Sequence, residues 1–312
     1  MKTLSNITRR NALKLMGAGL ASIGFSPPAF SAREILAVTK KIPSSGETLP
    51  VIGMGTWRTF NVGSDEVLRD ARTQVLKAFF DAGAGMVDNS PMYGSAREVL
   101  GYALNKIGIP DSLFSAEKIY TQDGGATRSQ TAESAEQWGV QTFDLMQVHN
   151  LVSWQSHLAT LREMKKQGLI RYIGITTSHG RRHDDMEKIM KAGDLDFVQL
   201  TYNLTHRGVE KRILPVAVDQ GIAIIANRPF DGGALVKGLK SRKAPLPDWA
   251  GEIDCKTWAD FLLKFIVSHP AITCAIPATS KVAHMQENMA AGHARMPDEK
   301  TRQRMVQYVA SL

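Results

Sequence analysis

Residues 143–176, FDLMQVHNLVSWQSHLATLREMKKQGLIRYIGIT, contain one full turn of the pattern that decides the fold. The apolar run 143–148 reads as a short strand, 155–167 as a helical pattern and 170–175 as the next strand. The same alternation recurs on both sides. Strand candidates fall at 51–55, 86–88, 113–117, 196–201, 222–226 and 272–276, with helical patterns at 65–82, 95–106, 128–138, 183–191, 208–220, 255–268 and 281–291. Strand–helix units in series, without a composition break or a Gly/Ser linker, predict an α/β fold closed as a (β/α)8 TIM barrel rather than a sandwich or two domains. A doubly wound open sheet is the alternative, and its Gly-rich first turn is absent. Ala37 to Leu49, with Pro-Ser-Ser-Gly between extended stretches, predicts an N-terminal β-hairpin. Lys237 to Ile253 reads as an irregular excursion over one barrel face, and Asp298 to Ser311 as a final helix.

The chain has 312 residues, 43% hydrophobic and 22% charged, which suffices for a large core. Its formal charge is +8, but residues 1–31 hold Lys2, Arg9, Arg10 and Lys14 and no acid, and removing those four leaves +4. No basic run with interleaved aromatics follows, so no nucleic-acid partner is expected. Thr8-Arg9-Arg10, the apolar stretch Leu15 to Phe25 and the small residues near Ser31 and Ala32 together look like a twin-arginine export signal. That reading divides the chain into a signal peptide at 1–31 and a barrel at 32–312. It implies passage through the Tat translocon to the periplasm, with no stable membrane insertion, since the apolar stretch is too short to span a bilayer. Gly17-Ala18-Gly19 imitates a dinucleotide fingerprint, but no strand precedes it. Cys255 and Cys274 are the only cysteines, so no disulfide framework is expected; Cys274, in an apolar run, reads as a buried small hydrophobe.

In a parallel barrel the working residues lie where strands end. Three consecutive units place polar side chains there: Asp88 and, after a short turn, Tyr93; Lys118; and His149. Such a set suits proton transfer coupled to hydride transfer. A phenol with a pKa of about 10 is a weak acid near neutrality, and a nearby ammonium favours the phenolate. Lys118 is expected to lower the Tyr93 pKa in this way, with Asp88 holding Lys118 and His149 orienting a carbonyl. Each residue alone has a structural reading as a solvated lysine, a core histidine or a turn-forming aspartate.

Around these residues the sequence resembles the aldo/keto reductase family along nearly the whole of 32–312. Gly55-Thr56-Trp57 looks like its first-strand motif, and Asp88-Asn89-Ser90-Pro91-Met92-Tyr93-Gly94 is similar to its Asp-to-Tyr segment. Lys166 to Ile175 resembles the fifth-strand signature, and Gln199 with Tyr202-Asn203 the sixth. The resemblance implies NADPH, with NADH as the alternative, lying across the barrel mouth, and Tyr93 as the proton donor. Thr56, Trp57, Thr176, Thr177, Gln199, Arg228, Pro229 and Phe230 then serve the nicotinamide half. Thr176, Thr177 and Gln199 face the carboxamide. Thr279, Ser280, Lys281, Glu287 and Asn288 serve the adenosine half, with Ser280 and Lys281 on the 2′-phosphate. Thr177 departs from the family's usual asparagine, Asn227 stands where an aromatic ring normally stacks, and Ala278 and His284 replace a frequent Lys and Arg. Trp57, Met92 and Trp154 are the candidate substrate pocket.

These features point to an enzyme that reduces a small carbonyl substrate. A nicotinamide-binding sensor or partner-binding module is the alternative from another class. A metal-dependent hydrolase would need converging ligands, and the dense cluster His179, His183, Asp184 and Asp185 reads as a solvated helix start, so no metal is expected.

Overall fold

The computed structural model describes residues 37–293 and 295–312; the proposed signal peptide lies outside them. Eight parallel strands run in chain order around one sheet. They are β3 (Met54–Gly55), β4 (Met86–Asp88), β5 (Phe114–Ile119), β6 (Phe143–Val148), β7 (Ile170–Thr176), β8 (Phe197–Thr201), β9 (Ala223–Asn227) and β10 (Cys274–Ala275). The sheet closes between its first and last members, where Gly53 N donates to Ala275 O at 2.8 Å and Ala275 N to Val51 O at 2.9 Å. A β-carbon at Gly55 would lie 2.9 Å from the Ile276 carbonyl oxygen, so the seam needs a residue without a side chain. The fold is the expected (β/α)8 barrel.

Helices α1 (Glu66–Asp81), α2 (Ala96–Ile107), α3 (Thr127–Trp138), α4 (Trp154–Lys166), α5 (His183–Lys191), α6 (Ile213–Asp219), α8 (Trp258–Val267) and α9 (Val282–Ala290) follow the strands, and α10 (Glu299–Ala310) ends the chain. Local chemistry starts several of them. Asp65 accepts from Leu68 N ahead of α1, and Thr257 with Asp260 forms a capping box on α8. The segment Lys237 to Ile253 corrects the expectation of irregular chain. It contains the end of α7 (Ala234–Ser241) and a 3-10 turn at Asp248–Ile253. Leu239, Ala250 and Ile253 are buried there, an apolar face that the surrounding Lys and Pro residues obscure in the sequence.

Side chains alternate between the barrel lumen and the helix layer. Met86, Phe114, Leu145, Phe197, Ile225 and Cys274 pack in the lumen with Ile42 and Leu49 of the N-terminal hairpin, whose strands are β1 (Thr39–Lys41) and β2 (Thr48–Pro50). Lys40 fastens the hairpin by donating to the carbonyls of His269 and Ile272 at 2.7 and 2.6 Å. Two residues farther along the strands the lumen turns polar: Met86 gives way to Asp88, Ala116 to Lys118, Leu145 to Gln147, Phe197 to Gln199 and Ile225 to Asn227. The hairpin therefore closes the apolar end of the barrel, and the polar end opens on the strand C-termini. Cys255 and Cys274 are both buried and free, and burial pushes each thiol up to about 12.

Helix α2 meets α3 through Gly101, where a β-carbon would lie 1.8 Å from the Gln137 carbonyl oxygen. Backbone cannot yield as a flexible side chain does. Gly101→Ala is therefore expected to destabilise the fold by about 1–3 kcal/mol despite alanine's better helix propensity. Denaturant titration checks this, and a variant as stable as the parent would contradict the packing argument.

Candidate active site

Asp88 ends β4, and its carboxylate organises the floor of the barrel mouth. Lys118 Nζ donates to Asp88 Oδ2 at 2.6 Å and to Asn89 O at 2.6 Å. Gln147 Nε2 and Gln199 Nε2 donate to Oδ1 at 3.3 and 2.7 Å. Asn227 Nδ2 donates to Thr177 O at 2.9 Å and to Gln199 Oε1 at 3.3 Å, so it continues this net toward β7. Thr56 Oγ1 donates to Asn89 Oδ1 at 2.6 Å, tying the first-strand motif to the same turn.

Ser90 caps a one-turn 3-10 helix, Pro91–Tyr93, which lifts Tyr93 above the floor. The Tyr93 ring lies edge-on to His149, with centroids 5.8 Å apart, and Lys118 Nζ is 5.4 Å from its centroid. The expected lowering of this phenol by Lys118 is outweighed. Burial, followed by Asp88 and Glu117, pushes the Tyr93 hydroxyl well above its ordinary range. The ammonium is already paired with Asp88, so little of its field remains for the phenol. Tyr93 is thus a protonated phenol at neutral pH. His149 Nδ1 is 2.7 Å from Ser90 Oγ, and burial, then Lys118, pushes the imidazole down to about 2, which keeps it neutral.

A cavity of about 320 Å³ opens above these groups. Asp88, Tyr93 and His149 line it, as do Thr56, Trp57, Met92, Thr176, Thr177, Gln199, Arg228, Pro229 and Phe230. Lys118 lies beneath it, fully buried. Arg58, Asn150, His179 and Arg228 on its rim all hold positive φ, a backbone conformation that costs a non-glycine residue energy and gathers at working sites. A second cavity of about 950 Å³ shares Phe230, Gly233 and Ala278 with the first, making one groove. Thr279, Glu287 and Asn288 line the second cavity, together with Lys237, Lys240, Lys256 and His284.

Three expected site residues lie elsewhere. Trp154 begins α4 and packs against the outer core, because the loop after β6 turns away before it. Ser280 and Lys281 line neither cavity; Ser280 O accepts from Arg72 Nη1 at 3.4 Å, and Lys281 is the N-cap residue of α9. The Gln199 amide nitrogen, expected on the carboxamide, is held by Asp88. Among the described residues no group of three or more His, Cys, Asp or Glu is placed to hold a metal ion.

Sequence reasoning missed Gln147, which sits two residues before His149 on one strand, a period-two signal that was available. It also missed Glu117, which faces the helix layer behind Lys118. Glu117 Oε1 accepts from Lys118 N at 2.8 Å and Oε2 from Trp138 Nε1 at 2.9 Å.

Residues 51–304 match the model of the Aldo/keto reductase family. The chain belongs to that family. Methylglyoxal reductase YeaE of Escherichia coli strain K12 is 28% identical over 259 residues, covering 80% of this chain and 88% of that protein. An NADH-specific methylglyoxal reductase of the same strain is 26% identical over 231 residues, 63% of this chain and 69% of that one. Among solved structures, an aldo-keto reductase from Klebsiella pneumoniae in complex with NADPH superposes with a TM-score of 0.73 at 22% identity, covering 88% of this chain and 95% of the other.

Burial pushes Glu117 up from 4.5 to about 7, against the pull of Lys118, its backbone and Trp138. Between those values the folded chain holds a proton that the unfolded chain has released, so this group's contribution to stability is lost as pH rises through the window. Glu117→Gln is expected to flatten the decline in melting temperature between pH 4.5 and 7. An unchanged slope in thermal unfolding would assign the pH dependence to another group.

Proposed function

We propose that this aldo/keto reductase reduces aldehydes or ketones to alcohols with NADPH, Tyr93 providing the proton. The observation that carries the reading is the Tyr93 ring edge-on to His149, 5.8 Å apart at their centroids, in a cavity that adjoins a lysine-lined groove.

The residues present fit a nicotinamide dinucleotide. Thr177 Oγ1 is a buried hydroxyl without a hydrogen-bond partner among the described residues, on the wall of the smaller cavity, where a carboxamide would satisfy it. The larger cavity offers Lys237, Lys240 and Lys256 to phosphates and Trp258 and Phe230 as apolar walls. These lysines, in place of Ser280 and Lys281, are the candidates for the 2′-phosphate, and they favour NADPH over NADH. Bound reduced nicotinamide supplies a hydride to the carbonyl carbon and is itself oxidised.

The chain's own residues do the rest. With the Ser90 hydroxyl donating to Nδ1, His149 carries its proton on Nε2 and offers it to the substrate oxygen. As the carbonyl π electrons move onto that oxygen, Tyr93 transfers its phenolic proton there, and solvent restores it. The phenolate left behind sits 5.4 Å, at its ring centroid, from the Lys118 ammonium. With that ammonium already paired to Asp88, the phenolate is short-lived and regains its proton from solvent.

Tyr93→Phe is expected to lower kcat for aldehyde reduction by about a thousandfold or more while NADPH affinity changes less than about threefold. NADPH is expected to bind more tightly than NADH in the same fluorescence titration. Retained turnover would refute Tyr93 as the acid. Binding by the parent protein without turnover over a panel of aldehydes and ketones would favour a nicotinamide-binding sensor.

For residues 1–31 we propose twin-arginine export to the periplasm, with the Tat translocon as a transient partner. Arg9 and Arg10 ahead of an apolar stretch support this. Replacing both with Lys is expected to leave the protein in the cytoplasm on cell fractionation; undiminished export would remove the motif from consideration.

A further inference from the structure

The charge balance of the catalytic mouth carries a statement about the substrate. Four charged side chains line the smaller cavity: Asp88, Arg58, Arg181 and Arg228. Asp88 is paired with Lys118 at 2.6 Å, and Arg228 with Asp231 at 2.8 Å. Arg58 and Arg181 form no ion pair among the described residues. Arg181 donates only weakly to Ser178, through Nε to the carbonyl at 3.3 Å and Nη2 to Oγ at 3.4 Å. The Arg58 guanidinium lies 5.2 Å from the Trp57 ring centroid, an arrangement that fixes the group against an aromatic surface and leaves N–H edges for a carboxylate. Arg58 lines the rim at φ +64°, a backbone conformation that costs a non-glycine residue energy.

An anion from the cofactor is the competing occupant. The adjoining cavity, however, holds Lys237, Lys240 and Lys256, so phosphates of a nucleotide have cations of their own there. The two guanidiniums at the reacting end are in excess of that requirement. A cavity of about 320 Å³, shared with a nicotinamide ring, also restricts the second reactant to a short molecule.

We propose that the substrates are short aldehydes or ketones bearing a carboxylate, which Arg58 and Arg181 bind while the carbonyl reaches Tyr93 and His149. This rests on the carbonyl reductase reading. The carbonyl carbon gains hydride from NADPH and its oxygen gains the Tyr93 proton; the carbonyl is reduced to an alcohol, NADPH is oxidised to NADP+, and the carboxylate is unchanged.

Steady-state kinetics with succinic semialdehyde and butanal test it, alongside calorimetric titration of the protein–NADPH complex with unreactive succinate and succinamide. The semialdehyde is expected to have a kcat/KM about tenfold or more above butanal, an advantage that shrinks as NaCl is added. Arg58→Ala and Arg181→Ala are each expected to cut that ratio by about tenfold through KM, with part of it recovered in Arg58→Lys. Succinate is expected to bind and succinamide not to. Equal efficiency for the two aldehydes would overturn the proposal, as would variants that weaken NADPH binding and leave the ratio intact. If neither these aldehydes nor the wider panel of aldehydes and ketones reacted, selective succinate binding would uphold the anion site while defeating the reductase reading, and equal binding of succinate and succinamide would defeat both.

Discussion

The barrel mouth depends on one contact, the 2.6 Å pair between Lys118 and Asp88, both removed from water. A buried ion pair is costly to desolvate and is retained only where its remaining hydrogen-bonding positions are filled. Here they are filled from three strands. The Asn89 carbonyl beside β4 accepts a second hydrogen bond from Lys118, while Gln147 on β6 and Gln199 on β8 donate to the carboxylate. Register between those strands is therefore fixed by polar chemistry at the open end as well as by packing beneath it. The same pair holds the ammonium 5.4 Å from the Tyr93 ring centroid with its charge already balanced by Asp88.

The pair can exist because the lumen is graded along its axis. Apolar side chains and the N-terminal hairpin exclude water from one end, so polar groups two residues farther along each strand sit in a medium where their interactions are strong. Ile42 and Leu49 lie far from the chemistry in sequence, yet they seal the floor on which it rests.

The fold was legible because strand–helix alternation is a periodic signal, and its eight strands fall within a few residues of the apolar runs. Asp88, Tyr93 and His149 were legible because strand ends are where a barrel presents side chains. Trp154 was misplaced because a turn of three residues after β6 redirects the chain, and nothing in its composition reveals the direction. Lys237 and Lys240 read as part of an irregular excursion in the sequence, and only α7 aligns them with a cavity. The Tyr93 phenol was given the wrong direction for a related reason. Sequence gives the neighbours of a titrating group, whereas its proton affinity depends on which of them already have partners.

The two cysteines have a consequence of another kind. Both are free and buried, with thiols pushed up to about 12, so neither presents a thiolate to an oxidant. Neither thiol is placed to form a bridge or to react as a thiolate. The native state needs no sulfur bridge to form and offers none to break, so packing of the barrel alone, and not cysteine chemistry, decides whether the conformation is reached.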